Sequence, residues 1–107
     1  MKKYKIEFHP DVISKDFPKL AEDVKKRLKS QLRKLSQNPY CGESLRHKLK
    51  GYRKLYFDKK RYRIIYRIIE EKIIIFVIAV GKRDKLEVYK ISDKRVELLK
   101  ISKNHSK

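Results

Sequence analysis

Arg83 and Tyr89 sit in the stretch of this chain whose residue types are best suited to chemistry. Residues 73–80 read IIIFVIAV, and the chain then turns abruptly basic: Gly81, Lys82, Arg83, Asp84, Lys85, and on to Tyr89. A strand with almost nothing polar in it, delivering an arginine and a tyrosine at its open end, is a rigid mount for charged groups. Upstream, Lys54, Tyr56, Arg63 and Arg67 punctuate two further segments of alternating character. Arginine's planar fork matches phosphate oxygens and does not lose its proton, so it suits electrostatic stabilisation. Lysine and tyrosine have ordinary pKa values of about 10, and neighbouring positive charge lowers both toward the range useful for proton transfer. Such a set suits cleavage of RNA by its own 2′-hydroxyl, which needs three things. A proton must leave the 2′-oxygen, charge must be stabilised on five-coordinate phosphorus, and the departing 5′-oxygen must be protonated. It suits a passive phosphate-binding surface equally well, and composition and alternation do not separate the two.

Other chemistries find little support. His9, His47 and His105 fall in turn, loop and tail contexts, without the spacing of a zinc site. No metal box and no pair of carboxylates accompanies the cations. The serines show no nucleophile-elbow pattern, and three glycines are too few for a Gly-rich phosphate loop. Cys41 is the sole cysteine, which excludes an internal disulfide and points to a reducing cytoplasm. The opening MKKYKIEFHP is too short in apolar length for a signal peptide, and no apolar run reaches the roughly 20 residues of a membrane span.

The elements that must position these groups follow from periodicity. The 107 residues fit a single domain with one modest core, residues 102–107 forming a disordered tail. Residues 3–8 alternate with Tyr4, Ile6 and Phe8 on one face, as in a half-buried strand. A short helical segment carries Val12, Ile13 and Phe17 inward, and Pro18 fits the first turn of a second helix. Leu20, Val24, Leu28, Leu32 and Leu35 recur along that helix at helical spacing until Asn38-Pro39 stops it. Residues 40–51 read as a loop. Three strands follow at 53–57, 61–69 and 72–81, with connections short enough to force antiparallel hairpins. Ile91, Val96 and Leu99 suit a short final helix. The expected fold is α+β: a small twisted, mainly antiparallel sheet, two helices on one face, and the order β-α-α-β-β-β-α.

Parity then sorts the side chains. Leu55 and Phe57 suit the face under the helices, leaving Lys54 and Tyr56 on the other. Arg63 and Arg67 lie opposite Tyr62, Ile64 and Tyr66. On the last strand Ile75, Val77, Ala79, Gly81 and Arg83 share a parity that thins from bulky to small before the arginine. Lys59, Lys60, Arg61, Lys82 and Lys85 complete the candidate RNA-binding set with Tyr56 and Arg67. The overall balance agrees with a polyanionic partner: 31 Lys and Arg against 13 Asp and Glu give +18. Heat adaptation usually adds Glu along with Lys, and here the acids are scarce.

The segment YRIIYR at residues 62–67, followed by IIIFVIAVGKRDKLEVY, closely resembles the carboxy-terminal half of RelE-type toxins of the RelE/ParE superfamily. The upstream HKLKGYRKLYF resembles the KL-x-G segment and next strand of that family; the first strand and helices match more loosely. The resemblance implies a cytoplasmic mRNA interferase of a type II toxin–antitoxin pair. Such an enzyme enters the ribosomal A site and leaves a 2′,3′-cyclic phosphate, with no cofactor. By position, Lys54 matches a lysine that assists proton transfer and phosphate binding. Arg63 and Arg83 match arginines that stabilise the transition state, and Tyr89 matches a tyrosine that stacks on or activates the cut nucleotide. The family's second lysine is Tyr56 here, so its role of protonating the leaving group would pass to Tyr56, Lys54, Lys59, Lys60 or Arg61. The partners implied are mRNA, the ribosome and an acidic RelB-like antitoxin, which can displace the carboxy-terminal helix. The ParE branch inhibits DNA gyrase instead and usually lacks this cluster, so a gyrase inhibitor or a non-catalytic RNA-binding homologue is the alternative.

Overall fold

Alternating apolar segments and one amphipathic helix assemble into a sheet buried on both faces. The computed structural model describes residues 3–82 and 92–97. Five strands, β1 (Lys5–Phe8), β2 (Glu43–Ser44), β3 (Tyr52–Phe57), β4 (Tyr62–Ile69) and β5 (Ile74–Lys82), lie in the order β1-β5-β4-β3-β2. The short connections make β3, β4 and β5 antiparallel, whereas β1 lies parallel to β5. The α+β architecture expected from the sequence is the one observed, with β2 added inside the segment read as a loop.

Helix α1 (Glu22–Gln37) buries Val24, Leu28 and Leu35, and carries Glu22 and Asp23 in its first turn, where acidic groups favour the helix dipole. It starts later than the pattern suggests. Pro18 belongs instead to a 3-10 turn, Phe17–Lys19, and Leu20 is extended before the helix begins. The first helical segment is a π-helical turn, Val12–Asp16, closed by the Phe17 N–H on the Val12 carbonyl. This i→i+5 bonding brings Val12, Asp16 and Phe17 to the inner side, while Ile13, expected inside, is 57% exposed.

Two cores flank the sheet. One packs Val12, Leu20, Val24, Leu28 and Leu35 against Phe57, Ile64, Tyr66, Ile75, Val77 and Val80. The other gathers Leu49, Tyr52, Ile65, Ile78 and Ala79 under Val96 of a short helix at residues 92–97, here α2. A β-bulge separates the cores: Ile65 pairs with Ala79 but Tyr66 pairs with Val77, leaving Ile78 as the extra residue. The bulge corrects the simple parity of β5. Ile75 and Val77 face α1, whereas Ala79 packs beneath α2 and Val80 returns to the α1 side.

Beyond the end of β1 the edge of β5 needs new partners. Asp16 Oδ2 accepts the Val80 N–H at 2.9 Å, and Arg95 Nη1 donates to the Ile78 carbonyl at 2.6 Å. The same two side chains pair through both guanidinium nitrogens at 2.9 and 3.0 Å, both almost wholly buried. This clamp joins the π turn, β5 and α2.

Candidate functional site

The β3–β4 ladder sets the centre of the site. Tyr56 lies directly opposite Arg63, and Lys54 lies two residues back on β3, so the three share the face turned away from α1. The Arg63 guanidinium carbon is 5.1 Å from the centre of the Tyr56 ring, and Lys54 Nζ is 5.5 Å from it. The phenol is thus flanked by two cations within cation–π range. On the far side Arg63 pairs with Gly81 of β5, which has no side chain to crowd it. From α1, Gln31 Nε2 donates to the Tyr56 carbonyl at 2.8 Å, tying this point of β3 to the helix. Glu43 on β2 reaches Lys54 at 3.5 Å. Close approach of the β2 strand depends on Gly42, where a Cβ would collide with the Tyr66 hydroxyl and the Lys54 carbonyl.

The structure divides the residues singled out from sequence. Lys54, Tyr56 and Arg63 come together. Arg67 shares their face but is four residues further along β4, about 13 Å away by strand rise, and is exposed. Lys59, Lys60 and Arg61 occupy the β3–β4 turn and, with Lys82, line an open cleft on the α1 side of the sheet. The expected single RNA-binding set is therefore two groups at one end of the sheet, because alternation and the turn send them to different faces. Arg83, Lys85 and Tyr89 lie outside the described residues. Among the described residues no group of three His, Cys, Asp or Glu side chains could hold a metal ion.

Two buried features escaped the sequence reading. The Asp16–Arg95 pair spans 79 positions, and nothing in local periodicity flags it beyond an acid on an inward face. His9, taken there as a turn residue, is buried beside Phe76, and its Nδ1 accepts the Asp11 N–H at 3.1 Å. Burial pushes its pKa below the usual imidazole value, against the opposing pull of Asp11. These contacts assign His9 a structural part.

With this geometry in hand, comparison with known proteins is decisive. The family model described as the ParE toxin of the type II toxin–antitoxin system parDE matches residues 6–87. The chain is 38% identical over 85 residues to the mRNA interferase toxin RelE of Escherichia coli, covering 77% of this chain and 86% of that protein.

The chain belongs to the RelE/ParE toxin family.

Its fold matches that of a double arginine-to-alanine mutant of E. coli RelE in the free state, with a TM-score of 0.72 and 31% identity. That match covers 87% of this chain and 97% of the other. A second match is the intact E. coli RelBE toxin–antitoxin complex, with a TM-score of 0.66, 29% identity, and 77% and 99% of the two chains covered. The protein is therefore a RelE-type toxin with the RelE-like fold. Among the described residues, no helix is long and apolar enough to cross a membrane.

Proposed function

We propose that this RelE-type toxin is an endoribonuclease that enters the ribosomal A site and cuts mRNA there without a metal. The observation that carries the reading is the Tyr56 ring within cation–π range of both Lys54 and Arg63 on one sheet face, with Gly81 opposite Arg63. The 2′-oxygen attacks phosphorus as its proton passes to the Lys54 amine, which acts in its neutral form after releasing its own proton to solvent. The bond from phosphorus to the 5′-oxygen breaks, and the Tyr56 phenol gives its proton to that oxygen. The products are a 2′,3′-cyclic phosphate and a 5′-hydroxyl. Arg63 stabilises the charge on the five-coordinate phosphorus. Arg83 supplies a second guanidinium, and Tyr89 stacks on or activates the cut nucleotide. Tyr56 takes the proton-donor role in preference to Lys59, Lys60 or Arg61 because only it lies on the face of Arg63.

An acidic RelB-like antitoxin is the expected partner, on the precedent of the RelBE complex. Charge complementarity with a +18 chain would speed its capture. The test is toeprinting on programmed ribosomes. New 5′ ends in the A-site codon, lost in Arg63→Ala, are expected; their absence for wild-type protein would overturn the reading. The family model's ParE description favours one other reading, a gyrase inhibitor. It predicts inhibited DNA supercoiling and toxicity indifferent to Arg63→Ala.

A further inference from the structure

The cleft on the α1 side of the sheet, of about 680 Å³, is lined by Ala21, Asp23, Val24, residues 58–61, Tyr62 and Lys82. Four of these side chains are cations: Lys59, Lys60, Arg61 and Lys82. Arg61 is engaged by Asp58, and Asp23 is engaged by Arg27, which leaves Lys59, Lys60 and Lys82 without a carboxylate contact among the described residues. Asp58, its side chain 1% exposed, pairs with Arg27 at 2.9 Å and with Arg61 at 3.1 Å. Asp23 pairs with the same Arg27 at 3.3 Å. Asp58, Lys59 and Lys60 hold consecutive positive φ angles of 53°, 55° and 67°, and the Arg61 N–H closes the turn on the Asp58 carbonyl at 3.0 Å. The buried carboxylate thus anchors a tight turn that presents two lysines over an apolar wall of Ala21, Val24 and Tyr62.

We propose that this cleft binds one nucleotide of single-stranded RNA next to the cleaved step, cations on its phosphate and the apolar wall under its base. The inference rests on the RNA-cleaving reading above. Position supports it. Tyr62 and Lys82 pair across the sheet, immediately beside the Arg63–Gly81 pair on the same two strands. A strand of RNA leaving the Arg63 face therefore meets the β3–β4 turn and the cleft behind it at the next step along the sheet. A base laid on apolar and aromatic surface, with its phosphate among lysines, is the usual chemistry of single-strand recognition.

The probe is a short RNA made uncleavable by a 2′-deoxy substitution at one step, with and without the base of the adjacent nucleotide, its binding followed by fluorescence anisotropy. The Lys60→Ala/Lys82→Ala double variant is expected to lose about tenfold in affinity and to bind the intact and abasic probes alike. Lys34→Ala/Lys72→Ala, which removes the same charge elsewhere, should lose far less and keep the preference for the intact probe. Equal losses in the two double variants, or a wild type blind to the missing base, would overturn the proposal. So would an acidic peptide that competes for the cleft while RNA binding ignores both cleft mutations. Because the probe cannot be cut, failure of cleavage in toeprinting strikes the nuclease reading and leaves this measurement standing. Arg63→Ala, expected to abolish cleavage, should retain the base-dependent binding.

Discussion

Tyr56 stands where the family resemblance places a second lysine, and the proposed mechanism gives its phenol that lysine's role. Lys54 and Arg63 both lie within cation–π range of its ring, and under the proposed mechanism its phenol is the proton donor to the leaving 5′-oxygen. Tyr56→Phe removes the proton and keeps the ring beside both cations. Single-turnover cleavage should fall by roughly 100-fold, with RNA affinity and thermal stability unchanged; Tyr56→Lys should restore most of the rate. An undiminished rate in Tyr56→Phe would move the proton donor elsewhere. His9 offers a second residue-scale test, of stability. Its folded-state pKa is lowered by burial, so as pH falls the unfolded chain takes up a proton at about 6.5 before the folded chain does. Its contribution is therefore fully present above that pH and is lost as pH falls through the folded-state value. Urea midpoints should drop between pH of about 7.5 and about 5.5, and drop less in His9→Asn, whose side-chain oxygen can still accept the Asp11 N–H.

At the scale of elements, the Asp16–Arg95 clamp makes the sharpest demand. Arg95→Met leaves the Asp16 carboxylate buried with, among the described residues, the Val80 N–H as its remaining short contact, and should cost about 3–5 kcal/mol in urea unfolding. Asp16→Leu/Arg95→Met removes both charges and should cost distinctly less than the sum of the single changes. Additive losses would show that the pair is not coupled. The same elements show what the sequence could and could not reveal. Helix α1 and strands β3 to β5 were legible because each has a strong period, and the shared face of Lys54, Tyr56 and Arg63 follows from alternation through an unbroken ladder. The faces of β5 were not legible: with apolar residues on both sides there is no contrast to reveal that Ile78 bulges. Val12–Asp16 misled for a related reason. A turn this short has no repeat to distinguish i→i+4 from i→i+5 bonding, and the clamp that holds it comes from a residue 79 positions away.

For the whole molecule, the question is how much of the +18 charge acts on RNA and how much only raises the surrounding field. The described cations are not spread evenly over the sheet. Lys54 and Arg63 lie on one face, Lys59, Lys60, Arg61 and Lys82 line the cleft behind it, and both groups lie at the same end of the sheet. If these side chains other than Arg61, which Asp58 already engages, each neutralise one phosphate, a logarithmic plot of affinity against salt should have a slope of about −3.5, since each contact to a single strand contributes roughly −0.7. A surface acting as a uniform cationic coat would give a steeper slope, because the lysines of α1 would count as well. Lys60→Ala/Lys82→Ala should make the slope shallower by about 1.4, whereas Lys34→Ala/Lys72→Ala should leave it nearly unchanged. Anisotropy titrations from low to moderate salt distinguish these outcomes. A slope that shifts equally in both variants would mean that RNA reads the charge of the molecule as a whole, with no path across the sheet end.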